Sequence, residues 1–341
     1  MVSSFALVVI VIVVALIFDF VNGFNDAANA IATIVVSKTL TPFQAVCMAA
    51  AANFIGYFVF GTAVATMIGK GVVQFDQVTL PLIFAALIGA VVWQIITWRM
   101  GLPSSSSHAL IGGLIGSGIA AAGLNTVKWA GVGKIFAFIF LAPLIGIVCA
   151  MIVTAVTIWI FHKQKPAETH GIFKKMQLVA SLCSSVGHGT NDAQKTMGII
   201  ALALFTGGVS GSFETGQIDN WVVLAAYTAI SLGTLCGGWR IVKTMGTSIT
   251  KIGPMEGFCA NVAAASVLLT TSHAGIPVST THVMAGSIMG VGTVQHAKCV
   301  RWITARRILM AWVLTIPLSA TCAAITYFVV SNLIKALGGI N

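Results

Sequence analysis

Charge is scarce in this chain: Asp, Glu, Lys and Arg make up 8% of its 341 residues, against about 25% in soluble domains. So few ionisable side chains cannot coat a water-soluble fold of this size, and a hydrophobic share of 57% reinforces the exclusion. Acidic residues are rarer still, 8 against 18 basic, for a net charge of +10. That excess does not indicate nucleic acid, because the basic residues lie scattered in short loops with no basic helix or aromatic-basic module. Cysteine pairs at CxxC spacing are also missing. Cys47, Cys149, Cys183, Cys236, Cys259, Cys299 and Cys322 are odd in number and mostly inside apolar runs, which argues against a metal or redox site and for small apolar fillers. No basic residue precedes the first apolar run, Phe5 to Phe18, which leads into the polar stretch Asp19 to Asp26. A first membrane span fits this better than a cleaved signal peptide.

What the chain has instead is apolar length. A bilayer core of about 30 Å needs roughly 20 apolar residues per helix. Ten segments of membrane depth emerge, at about 5–36, 43–68, 80–98, 103–123, 135–161, 177–206, 221–239, 254–272, 277–295 and 308–333. The first and sixth exceed a plain span and contain Asn22 to Asp26 and Gly187 to Asp192, where the reading expects broken helices. With the N-terminus outside, thirteen basic residues fall in the cytoplasm, from Lys38 and Arg99 to Arg306 and Arg307, and only Lys70, Lys128, Lys134 and Lys335 outside. Lys195 stays at membrane depth. This bias predicts both termini extracytoplasmic in a multi-pass protein of the cell (inner) membrane. Trp98, Trp129, Trp159, Trp221, Trp239 and Trp302 stand near span ends, as interfacial tryptophans do.

The halves repeat. Gly23-Phe24-Asn25-Asp26-Ala27 matches Gly189-Thr190-Asn191-Asp192-Ala193 at 166 residues. Leu102-Pro103-Ser104-Ser105-Ser106-Ser107-His108 matches Ile276-Pro277-Val278-Ser279-Thr280-Thr281-His282 at 174, continuing into Gly112/Gly286 and Gly116/Gly290. Gly56, Gly61 and Gly69 pair with Gly233, Gly238 and Gly246 between these blocks. Five crossings per half, an odd number, would insert the second half upside down. The expected fold is an all-α polytopic membrane protein of two inverted five-segment repeats with broken or re-entrant helices: residues 1–161, a cytoplasmic linker at 162–176, and residues 177–341. In such architectures substrate and coupling ions bind near the midplane, where the halves meet.

Asp19, Asp26, Asp192 and Glu256 lie at membrane depth, where an unpaired carboxylate costs at least about 2.5 kcal/mol. Asp26 and Asp192, beside Asn25 and Asn191 at glycine-flanked interruptions, read as ligands of coupling cations, the alternative being helix caps or a pair with Lys195. Asp19 and Glu256 lack repeat counterparts. The two Ser/Thr blocks read as helix N-termini, where free N–H groups and the hydroxyls of Ser104, Ser105, Ser106 and Ser107, and of Ser279, Thr280 and Thr281, make an anion site without a basic side chain. N-capping and close packing at the glycines are the plainer use of the same residues. His108 and His282 could titrate or bond a backbone carbonyl. Gln194 and Lys195 stand where the first half has Ala28 and Asn29, so the halves differ there, and Lys195 could balance Asp192 or the anion.

These four ordered motifs resemble the inorganic phosphate transporter (PiT) family of prokaryotic type. Its Gly-x-Asn-Asp-x-Ala-Asn-Ala signature reads here as Gly23 to Ala30, and its second-half form as His188 to Gly198. The resemblance implies import of phosphate coupled to sodium or protons. Asn25, Asp26, Asn29, Asn191 and Asp192 would bind the cations, with sodium at Asp26 and Asp192, and the Ser/Thr blocks would bind phosphate. Lys195, Gln194, Glu256, His108 and His282 would be auxiliary. It also implies a transport and a scaffold region, a homodimer, and no cofactor beyond the coupling ion. The chain departs from the family in lacking a long loop between the halves and in carrying Asn261 where members often have an acid. Relatives in the superfamily carry sulfate, so a sulfate permease is the alternative, with an uncoupled anion channel behind it. Duplicated carboxylates give a channel no rationale. An intramembrane serine hydrolase built on Ser105 and His108 would need one asymmetric site, whereas both halves carry the block, so no enzyme is expected.

Overall fold

The computed structural model describes residues 4–59, 65, 72–210, 217–274, 276 and 278–336. Residues 60–64 and 66–71, the end of the second expected segment with Gly61, Gly69 and Lys70, lie outside these, as does Pro277. Eleven α-helices run through the described residues: α1 Ser4–Val36, α2 Pro42–Val59, α3 Leu80–Met100, α4 Ser106–Ala122, α5 Trp129–Phe161, α6 Pro166–Thr206, α7 Asn220–Cys236, α8 Trp239–Lys243, α9 Pro254–His273, α10 Thr280–Gln295 and α11 Trp302–Ala336. No strand occurs among them. The all-α polytopic class is therefore the observed one.

Local chemistry sets the ends. α3 starts with the Thr79 hydroxyl accepting from the Leu82 N–H and Pro81 in the first turn, and stops at Gly101 in the left-handed conformation, φ 67°. Ser105 and Ser279 cap α4 and α10 by accepting from His108 N–H and His282 N–H. At 17 and 16 residues these two helices reach about 25 Å. They fall short of a full span and return from α3 and α9 as the second arms of helical hairpins.

The interruptions expected in the first and sixth segments are absent. α1 is helical without a gap through Asn22–Asp26, and α6 through Gly187–Asp192. Their glycines serve close approach instead: a Cβ on Gly23 would strike the Ile230 carbonyl of α7, and one on Gly189 would strike the Asn53 backbone of α2. Keeping every helical hydrogen bond avoids exposing carbonyls in a low-dielectric interior. The break falls in the seventh segment, where the chain bends 64° between Asn220–Cys236 and Trp239–Ser248, with Gly237 at φ 63°. Helix α6 begins at Pro166, within the stretch expected as the linker.

Packing crosses between the halves. Gly112 and Gly116 of α4 lie against the backbone of Ile316 and Ala320 in α11, and Gly286 and Gly290 of α10 lie against Pro143 and Ile147 in α5. Without side chains at these positions the helix axes approach closely. Pro143 and Pro317, 174 residues apart, sit inside the two long partner helices. Two apolar cores result. One joins the first half of α1 with α3, α4, α7 and the end of α6, around Phe18, Leu82, Leu110, Met197 and Tyr227. The other joins the second half of α1 with α2, α5, α9, α10 and the first turns of α11, around Ile31, Ile34, Val283 and Trp312. The polar middle of α1 and α6 lies between them. Large apolar side chains outside, such as Ile152 on α5 and Phe328 on α11, are exposed, as a bilayer requires. Trp129, Trp159, Trp221, Trp239 and Trp302 are exposed at helix ends.

Candidate functional site

On an apolar helix, polar residues spaced three and four apart form a single stripe. Asp19, Asn22, Asp26, Asn29 and Thr33 make one on α1; Gln177, Ser181, Ser184, His188, Asp192 and Lys195 make one on α6, and all are buried. The stripes face each other in opposite directions. Ser181 donates to the Ala30 carbonyl (3.0 Å) and Ser37 to Gln177 Oε1 (2.8 Å) at one end, while Asp26 and Asp192 meet at the centre.

There the hairpin tips join them. Asp26 accepts from Ser106 Oγ (3.2 Å) and Thr281 Oγ1 (3.1 Å), one hydroxyl from each half. Asn29 donates to Thr281 Oγ1 (3.0 Å) and Thr280 Oγ1 (3.4 Å), and Asn25 to the carbonyl and side-chain oxygens of Gln94, both at 3.4 Å. Asp192 accepts from Thr280 Oγ1 (3.2 Å) and from the Lys195 ammonium, and His188 Nε2 lies 3.2 Å from it. Lys195 Nζ donates as well to Ser107 Oγ (2.5 Å) and to the Val278 carbonyl (3.2 Å). Ligand atoms of Asp26, His188 and Asp192 all fall within 4.8 Å of one another, close enough to share a small cation.

The expected anion residues divide. Ser106, Ser107, Thr280 and Thr281 face the carboxylates and Lys195, while Ser105 and Ser279 are spent as N-caps and Ser104 bonds Thr97 Oγ1 (2.7 Å). The plainer capping use therefore holds for Ser105 and Ser279. His108 and His282 stack behind the tips with ring centroids 4.8 Å apart, and His282 lies on Trp312 at 3.9 Å. The His282 ring faces the Ile139 carbonyl, which Pro143 leaves without its helical donor. Gln194 is buried in α6. Glu256 is not brought to the site. It stands three residues into α9, accepts from Gly253 N–H (3.0 Å) and Gln295, and so caps the helix near the surface. Asn191 turns away to Ser272 Oγ (3.2 Å).

The motifs do not include Asn53, which holds His188 Nδ1 at 3.3 Å and donates to Thr234 (2.9 Å); Asn261, noted above only as a departure from the family pattern, donates to Thr33 (2.9 Å). The signal was the three-four spacing of polar residues along apolar helices. The carboxylates and Lys195 are at most 3% exposed, so the site is occluded from both sides.

Opposed charges sealed at the crossing of two polar-striped helices and two hairpin tips define the class, a multi-pass membrane protein with a buried, charge-paired polar site. The phosphate transporter family matches residues 22–323, and the chain belongs to it. It is 49% identical over 325 residues to a probable low-affinity inorganic phosphate transporter of Rhizobium meliloti, covering 95% of this chain and 97% of that protein. Identity to the protein so described from Bacillus subtilis is 44% over 329 residues, covering 95% and 97%. The solved structure of "the sodium-dependent phosphate transporter" aligns with a TM-score of 0.84 at 26% identity, over 95% of this chain and 99% of that one.

Proposed function

We propose that the chain imports inorganic phosphate by symport with a monovalent cation, sodium in the first instance, through alternating access, with the two halves acting as inverted repeats. The observation that carries the reading is Asp26 held by Ser106 of one hairpin tip and Thr281 of the other. A ligand reached by both halves is released when either hairpin moves, which is what alternating access requires. The matching descriptions of its relatives support phosphate as substrate, and the sodium-dependent structural neighbour supports sodium.

The anion has a place between the N-termini of α4 and α10, where free N–H groups and the Ser106, Ser107, Thr280 and Thr281 hydroxyls converge. Lys195 is the fixed positive charge beside it and balances Asp192. A divalent phosphate moving inward against 100 mV costs about 4.6 kcal/mol, and three accompanying monovalent cations turn this into a gain of about 2.3 kcal/mol. In this reading the protein works in the cell membrane as a homodimer, and the charge bias of its loops puts both termini outside.

The test is uptake of radiolabelled phosphate into proteoliposomes under an imposed sodium gradient, then a proton gradient, with excess sulfate as competitor. Sodium-driven uptake indifferent to sulfate is the expected result. Proton-driven uptake would overturn sodium as coupling ion, and competition by sulfate would overturn phosphate selectivity.

A further inference from the structure

Asp19 lies two turns before Asp26 on the same stripe of α1, about 10 Å along the axis. It is fully buried, and among the described residues neither carboxylate oxygen has a hydrogen-bond partner. Beside it are the Asn22 amide and the Thr196 hydroxyl, with Lys195 and Asp192 within electrostatic range. Both amide atoms of Asn22 and the Thr196 hydroxyl are buried as well and make no close hydrogen bond, each group interacting only loosely with the Asp19 carboxylate. Orphaned polar groups buried together mark a missing ligand, because each costs a hydrogen bond's worth of desolvation.

Lys195 cannot fill the gap. Its three ammonium protons are already given to Asp192, Ser107 and the Val278 carbonyl. His188 is likewise engaged with Asn53 and Asp192. A water would satisfy Asn22 and Thr196 but leave a carboxylate charge uncompensated at membrane depth. A proton on Asp19 would satisfy the same neighbours, its O–H donating to the Asn22 amide oxygen while its carbonyl oxygen accepts from Thr196, and that alternative predicts no sodium bound through Asp19. A carboxylate, an amide oxygen and a hydroxyl are hard oxygen donors carrying one negative charge, which suits a single monovalent metal ion and falls short of the charge and ligand number that calcium takes.

We propose that Asp19, Asn22 and Thr196 form a separate sodium site, staged on the transport column beside the central pair. Nothing in the second half repeats it, since Ser185 stands 166 residues after Asp19. Its place in transport rests on the symport reading; the binding itself does not.

The test is radiosodium binding to the purified full-length protein in a choline background, with phosphate binding and phosphate uptake measured in parallel. Wild type is expected to bind one more sodium than Asp19→Asn, with phosphate affinity kept in the variant. Equal sodium stoichiometry and affinity in the two proteins, or no sodium bound by wild type, would overturn the site. Should Asp19→Asn fail to accumulate, Thr196→Val decides: sodium affinity about tenfold weaker at unchanged phosphate affinity supports the site, and unchanged sodium affinity overturns it. Sodium bound through Asp19 in a protein whose uptake ignores sodium would defeat the symport reading and leave the site standing.

Discussion

Asp26 and Asp192 hold equivalent places in the two halves but stand in unequal company. Asp26 has two hydroxyls and an adjacent amide, Asn29, while Asp192 has an ammonium in direct contact. Asp26→Asn is expected to abolish sodium-driven phosphate uptake with membrane insertion intact; normal uptake would remove Asp26 from the coupling site. Lys195→Met strands Asp192 beside Asp26 without its counter-charge. Breaking a buried pair from one side costs about 3 to 5 kcal/mol, so this variant is expected to lose thermal stability and uptake together, and Lys195→Met with Asp192→Asn to recover the stability without the uptake. Thermal melting in detergent checks both. Ser106→Ala with Thr280→Ala removes one hydroxyl from each tip and is expected to weaken phosphate affinity by about tenfold, on the order of 1.4 kcal/mol.

Helices carry the second level. Glu256, a candidate ligand when read as a membrane-depth acid, is a helix cap, and the distinction is measurable. Glu256→Ala is expected to lower stability by about 1 kcal/mol and leave phosphate uptake unchanged; lost uptake at unchanged stability would return it to the site. The glycine stripes predict the opposite pattern. A leucine at Gly116 or Gly290 would collide with the backbone of α11 or α5 and is expected to cost about 1 to 3 kcal/mol or more by overpacking. Much of this level was legible beforehand. Proline followed by hydroxyls announced α4 and the capped tips, and the 174-residue repeat matched the crossed packing partners. The continuity of α1 and α6 was not legible. Gly23 and Gly189 look like breaks from their neighbours in the chain, and only the nearness of Ile230 and Asn53 shows that they make room for another backbone.

At the scale of the whole molecule the site residues are buried, so the proposed alternating access needs at least one hairpin tip to move off the central carboxylates. If one net positive charge enters per cycle, an inside-negative potential of 100 mV adds about 2.3 kcal/mol, roughly 50-fold in limiting phosphate accumulation. A potassium-diffusion potential in proteoliposomes reads this directly, and accumulation indifferent to voltage would mean an electroneutral cycle. Arg99 and Arg240, from different halves, meet where Arg240 donates to the Arg99 carbonyl (2.9 Å) and lies 5.1 Å over Trp98. The charge bias of the loops predicts that both open to the cytoplasmic side. Cysteines introduced at Arg99 and at Lys128 should label from opposite sides of the membrane.

Composition and periodicity alone settled the solvent, the helical class and the duplicated motifs. Apolar length and scarce charge are properties of the chain, and a bilayer leaves helices as the economical way to satisfy their backbone. Asn25-Asp26 and Asn191-Asp192 were visible for the same reason, since acids are rare where water is absent. Which residues meet was decided only by folding. The antiparallel crossing of α1 and α6 sets Asp26 beside Asp192, the two tips divide the hydroxyls between capping and binding, and Lys195 settles on one carboxylate while Asp19 is left with none. Those outcomes depend on distances between residues far apart in the chain, which packing of the cores determines and local pattern does not contain.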